Sequence, residues 1–105
     1  MLVYISGKIT GKENYKDDFI KAEQWLMLND YKVINPAKLD GALPKLTYQQ
    51  FMAIDYKLIE LCDAIFMLDG WQKSKGACAE LSYAKTLGKK VMYQDKYKDF
   101  KRKGD

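Results

Sequence analysis

Residues 63–93 read DAIFMLDGWQKSKGACAELSYAKTLGKKVMY. Between Asp63 and Asp69 the chain is almost continuously apolar and short, the pattern of a strand buried on both faces of a sheet. GWQKSKG follows as a polar, glycine-bounded loop. From Ala77 to Leu87 the spacing predicts a helix, with Gly88 closing it at the C′ position, where a left-handed backbone is wanted. KKVMYQ then reads as strand again. A buried strand, a helix and a second strand in this order form a βαβ unit, which implies parallel strands joined by a crossover.

The same alternation runs upstream. LVYIS (2–6) is an apolar strand followed at once by the loop GKITG. From Asn14 to Asn29, Phe19, Ala22, Trp25, Leu26 and Leu28 fall at helical spacing, with Asn14 placed to cap. YKVIN (31–35) is a second strand, stopped by Pro36, and residues 36–46 carry Gly41 and Pro44 and read as loop. Thr47 and Gln50 have the spacing of a capping box. The helix they open shows Phe51, Ile54, Leu58 and Leu61 as its apolar face. The order β-α-β-α-β-α-β predicts an α/β domain with a parallel sheet and right-handed crossovers. Residues 1–95 form that one domain, and 96–105 are a basic tail.

Composition narrows the chemistry. The chain has 105 residues, 48% of them apolar, enough for one packed core and too many for a disordered chain. A core of this size makes a homodimer or higher oligomer the expectation. It has no apolar run long enough to span a membrane, and MLVYISGKITG lacks the features of a signal peptide, so the expected compartment is the cytoplasm. Cys62 and Cys78 lack CxxC spacing and sit in apolar settings, so both are expected as reduced core thiols. Histidine is absent, which removes the usual catalytic base and the commonest metal ligand. Any reaction must use carboxylates, hydroxyls, lysines or the backbone. Net charge is +4, much of the excess lying in the terminal KYKDFKRKGD. The body shows no basic stripe, so nucleic acid is not the expected partner.

In parallel sheets ligands bind outside the carboxyl ends of the strands, which singles out GKITG, NPA and DGWQKSKG. GKITGK is open to two readings, an anion cradle built from Gly7, Lys8, Ile9, Thr10 and Gly11, or a plain strand-to-helix turn. Ser74 and Gly76 open the third helix, either as a second anion site or as a simple cap. Glu80 stands about one turn into that helix among Ala77, Cys78 and Ala79. It is a nucleophile or general base aimed at the strand ends, or else a helix-dipole partner. Asp55 is a cleft residue or a solvated boundary position. Asp63 fits the helix–strand turn, and Asp69 the end of its strand. Tyr4 alone reads as core. Trp71 either stacks on a base or covers the sheet edge.

Together, YISGKITG, an aspartate followed by LIELCDAIFML, and SKGACAELSYAKTLGKKV resemble the nucleoside 2-deoxyribosyltransferase superfamily, which includes 2'-deoxynucleoside 5'-phosphate N-hydrolases, across residues 2–93. The resemblance implies a flavodoxin-like or Rossmann-like three-layer sandwich with a parallel sheet of four to five strands. It implies Glu80 as nucleophile at the anomeric carbon, Asp55 as acid/base or sugar-orienting group, and Tyr4 as the group holding the nucleophile. It implies no metal and no redox cofactor. Ser74 matches a phosphate-contacting serine of the nucleotide hydrolases, where the transferases tend to carry aspartate. The loop after the first strand departs from the hydrolases, with Lys8 and Thr10 in place of serine and arginine. The expected activity is cleavage of the N-glycosidic bond of a 2'-deoxyribonucleoside 5'-monophosphate, by hydrolysis or base transfer. The alternative is a non-catalytic nucleotide-binding or sensing domain.

Overall fold

The structure, a computed structural model, describes residues 1–97. Strand β1 (Leu2–Ser6) leads to α1 (Tyr15–Leu28), β2 (Lys32–Ile34), α2 (Tyr48–Leu61), β3 (Ala64–Met67), α3 (Lys75–Thr86) and β4 (Lys90–Tyr93). All strand pairs are parallel and the sheet order is β2-β1-β3-β4. The chain steps one way from β1 to β2 and the other way from β2 through β3 to β4. Crossovers of one hand therefore place α1 on one face and α2 and α3 on the other. The α/β fold with helices on both faces matches expectation, with four strands among the described residues.

The two-residue period of β1 divides the core. Val3 and Ile5 face α1, packing with Phe19, Trp25 and Leu26. Tyr4 faces α2 and α3, together with Ile65, Ile59 and Leu81. Ser6 shares Tyr4's face by the same period and is 1% exposed. Tyr97 packs edge-on against Trp25, ring centroids 5.0 Å apart, so the packed body reaches at least this residue. Residues 98–105, most of the basic tail, lie outside the described residues.

Several local expectations need correction. Helix α3 starts at Lys75, two residues before the spacing suggests, because Ser74 Oγ accepts the Ala77 N–H at 3.1 Å and acts as the cap. Its end is as read. Gly88 has φ +74, and the N–H groups of Gly88 and Lys89 donate to the carbonyls of Lys85 and Ala84, a Schellman closure. Asn14 precedes α1 but makes no side-chain cap bond. The capping box at Thr47 and Gln50 is formed. The buried face of α2, however, runs through Met52 and Ile59, while Leu61 is 69% exposed. Part of the segment 36–46 is a short 3-10 turn, Pro36–Leu39. Cys62 is buried, and desolvation pushes its thiol up to about 11. Cys78 is exposed rather than core, because it lies off the buried Ala77–Leu81–Ala84 stripe of α3. Asp63 serves the turn as expected, its Oδ2 accepting the Leu2 N–H at 2.8 Å.

Gly7, directly after β1, is required by close approach. A Cβ there would lie 2.8 Å from Leu68 Cδ1 and 2.9 Å from Leu68 Cβ. Gly7→Ala is expected to destabilise the fold by about 1–3 kcal/mol through this overlap. Urea unfolding measures it, and a change below about 0.5 kcal/mol would mean that Leu68 yields.

Candidate active site

A cavity of about 290 Å³ opens at the carboxyl ends of β1 and β2, between the first turn of α3 and the flank of α2. The order in which strands are added to the sheet reverses at β1, with β2 on one side and β3 and β4 on the other, and such switch points are where open parallel sheets take ligands. The volume is at the lower end of the range for small-molecule pockets.

Glu80 lies in the cavity wall, yet is only 6% exposed. It falls in the second turn of α3, on the buried stripe Ala77–Leu81–Ala84. That removes the dipole-partner reading, which needs the first turn. Two hydroxyls from β1 hold the carboxylate. Tyr4 OH donates to Oε2 at 2.8 Å, and Ser6 Oγ donates to Oε1 at 2.6 Å. Asp55, half-buried on α2, interacts directly with Glu80 and with Tyr4.

The electrostatics follow from this packing. Burial raises the proton affinity of Glu80 well above the ordinary carboxylate range, and the facing Asp55 raises it further. The Ser6 and Tyr4 hydroxyls act in the opposite direction by stabilising the charged form. Asp55 is itself pushed up by burial. Two carboxyls in contact disfavour double ionisation, so the pair titrates as a unit with a shared proton. Burial and both carboxylates push the Tyr4 phenol well above its usual value, which keeps it a donor.

The cavity brings together Asp55, Glu80, Gly7, Ile9, Thr10, Ser74 and Gly76. Tyr4 stands behind Glu80. Lys8, Gly11, Asp69 and Trp71 are not in its lining. Trp71 packs on Tyr93 of β4, centroids 6.0 Å apart, so it covers the sheet edge. Asp69 is exposed, its N–H donating to Gln94 Oε1 at 2.7 Å. Gly11 has φ +79 in the turn beyond the cavity. A Cβ on Gly76 would make ordinary contacts with Met52 Sδ at 3.7 Å and with Tyr48 OH and Cε1 at 3.8 and 3.9 Å, so packing does not force a glycine there. Three features escaped the sequence reading: Ser6, the apolar wall of Tyr48, Phe51 and Met52 from α2, and the opposite wall of Leu39 and Leu43. Ser6 did carry a signal, since it lies two residues from Tyr4 on one strand. No His/Cys/Asp/Glu cluster suited to a metal occurs among the described residues. No helix among them is long and apolar enough to cross a membrane.

Known structures share this architecture. A 2-deoxyribosyltransferase from Bacillus psychrosaccharolyticus aligns over 89% of this chain and 71% of its own, with a TM-score of 0.68 and 25% identity. A CMP N-glycosidase from Clostridium botulinum aligns over 89% of this chain and 70% of its own, with a TM-score of 0.64 and 22% identity. No curated protein sequence matches. The structural class is thus the nucleoside 2-deoxyribosyltransferase superfamily. Residues 1–93 match the family described as a domain of unknown function, DUF4406, and the chain belongs to that family.

Proposed function

We propose that the protein cleaves the N-glycosidic bond of a 2'-deoxyribonucleoside 5'-monophosphate or a related nucleotide, with Glu80 as the nucleophile. The observation that carries the reading is a buried glutamate in a cavity wall, held at both oxygens and paired with a second carboxyl. A Glu80 oxygen forms a bond to C1' as the C1'–N bond breaks, and that bond's electron pair leaves with the base. Asp55 gives the base its proton. Water or a second base then takes C1', and the ester bond's electron pair returns to Glu80. One proton shared between the two carboxyls serves this division of labour when it sits on Asp55, leaving Glu80 charged.

The 5'-phosphate is assigned to the start of α3. There the Gly76 N–H, the Ser74 hydroxyl and, across the cavity, Thr10 offer donors beside the positive end of the helix. Ser74→Asp keeps a good cap while adding a negative charge. It is expected to lower kcat/KM for a monophosphate by about 10- to 100-fold and to spare the free nucleoside. Base release from deoxynucleoside monophosphates, CMP and the matching nucleosides, followed by chromatography, tests both claims. Equal losses on nucleotide and nucleoside would remove the phosphate assignment.

One observation favours a second reading, a domain that binds nucleotides without cleaving them. A glutamate whose proton is held as tightly as that of Glu80 is a poor nucleophile until something ionises it. A nucleotide that raises Tm and is recovered intact, with or without an acceptor base, would support that reading.

A further inference from the structure

We propose that Ser6 is a positioning residue for Glu80, fixing its carboxyl plane and stabilising the carboxylate as the leaving group when the sugar ester breaks. The inference rests on the reading of Glu80 as nucleophile.

Three facts place Ser6 in this role. Its hydroxyl donates to Glu80 Oε1 at 2.6 Å while Tyr4 donates to Oε2 at 2.8 Å, so the two donors hold the two oxygens separately. Both come from one face of β1, a central strand paired on both sides, so their spacing is set by backbone rather than by flexible side chains. Ser6 is 1% exposed and Glu80 6%, so water does not compete for this bond. A serine ending an apolar strand could have bonded its own backbone, but here it crosses 74 residues of sequence to reach the glutamate.

The chemistry separates the two half-reactions. In the first, negative charge leaves the carboxylate as an oxygen bonds to C1', and a donor slightly restrains that step. In the second, the C1'–O bond breaks and its electron pair returns to both oxygens, while the water that attacks C1' gives up a proton to Asp55 or solvent. A hydroxyl already aimed at the carboxylate stabilises the departing charge without reorganising. The charged and titratable groups facing Glu80 are Asp55 and Tyr56 from α2 and Tyr4 from β1. Of these, Asp55 raises its proton affinity and Tyr4 lowers it, as Ser6 does.

The test compares Ser6→Ala, Ser6→Thr and Glu80→Gln, with Tm and near-ultraviolet circular dichroism as fold controls. The first readout needs no substrate. The ¹³C resonance of the Glu80 side-chain carboxyl, assigned by its loss in Glu80→Gln, is titrated in each protein. Ser6→Ala is expected to move the Glu80 transition to higher pH, and Ser6→Thr to bring it back towards wild type. The second readout is turnover of a deoxynucleoside monophosphate. Ser6→Ala is expected to lose about 10- to 100-fold in kcat, the loss of one bond to a charged group. Its acid limb should rise in pH and the glycosyl-enzyme should accumulate. A titration that does not move in folded Ser6→Ala would overturn the inference, whatever its effect on rate. If Ser6→Ala does not fold, Ser6→Thr decides alone: a wild-type transition supports the role, and a raised one, with the hydroxyl still present, overturns it. Wild-type turnover by Glu80→Gln would instead remove the nucleophile reading while leaving the titration result standing.

Discussion

Glu80→Gln is expected to abolish base release, by at least about 10³-fold in kcat, and to raise Tm above neutral pH. Glutamine keeps the size and most of the hydrogen bonding, since the Tyr4 and Ser6 hydroxyls can each turn to donate or accept. It removes the buried charge. Because the proton affinity of Glu80 is raised on folding, the native state binds more protons than the unfolded chain once pH exceeds the ordinary carboxylate value of 4.5. Wild-type stability from this group is therefore fully present below that value and is lost as pH rises through the folded transition. Each tenfold difference in proton affinity is worth about 1.4 kcal/mol. Calorimetry from pH 5 to 9 should show the mutant's advantage growing with pH. A protein that stabilises when a buried carboxylate is neutralised holds that group against the preference of the fold, as reactive sites do. Undiminished turnover in Glu80→Gln would end the mechanism. A Tm advantage that does not grow with pH would end the account of the buried charge.

The layout of strands and helices was legible because each strand is short, apolar and bounded by a breaker. LVYIS matches β1 residue for residue. Helix faces were less so. On α2 the chain offers Phe51, Ile54, Leu58 and Leu61 as the apolar stripe, yet the buried face is rotated by about one residue onto Met52 and Ile59. That rotation is what turns Asp55 towards Glu80, three residues after Met52. Hydrophobic counting alone prefers the other register, because it treats an aspartate as a position to be exposed. On α3 the period does run through Glu80 to Ala77, Leu81 and Ala84, and a glutamate on a core stripe is itself a sign of function. Ser6 escaped because a serine closing a strand looks like punctuation; only the partner brought in by α3 gives its hydroxyl a purpose. Trp71 had two open readings from sequence, and only the adjacency of β4 and its Tyr93 chooses between them.

Asp55→Asn is expected to reduce kcat by about 10²- to 10⁴-fold and to move the acid limb of kcat/KM to lower pH. Asparagine cannot give a proton to the departing base. It also takes away the neighbour that raises the proton affinity of Glu80 both by direct hydrogen bonding and by charge. Glu80 would then ionise at lower pH, so this limb shifts opposite to that of Ser6→Ala. The pH dependence is thus set at Glu80 from opposite sides, Asp55 pressing its proton affinity up and the Ser6 hydroxyl holding it down. The role of Asp55 as proton donor is separable from a role in holding the sugar by the choice of leaving base. A base that already carries positive charge, such as 7-methylguanine, needs no proton to leave. Against that substrate the loss in Asp55→Asn should shrink towards wild type. An equal loss with both leaving bases would place the aspartate on the sugar hydroxyls, with the base taking its proton from water entering through the open side of the cavity.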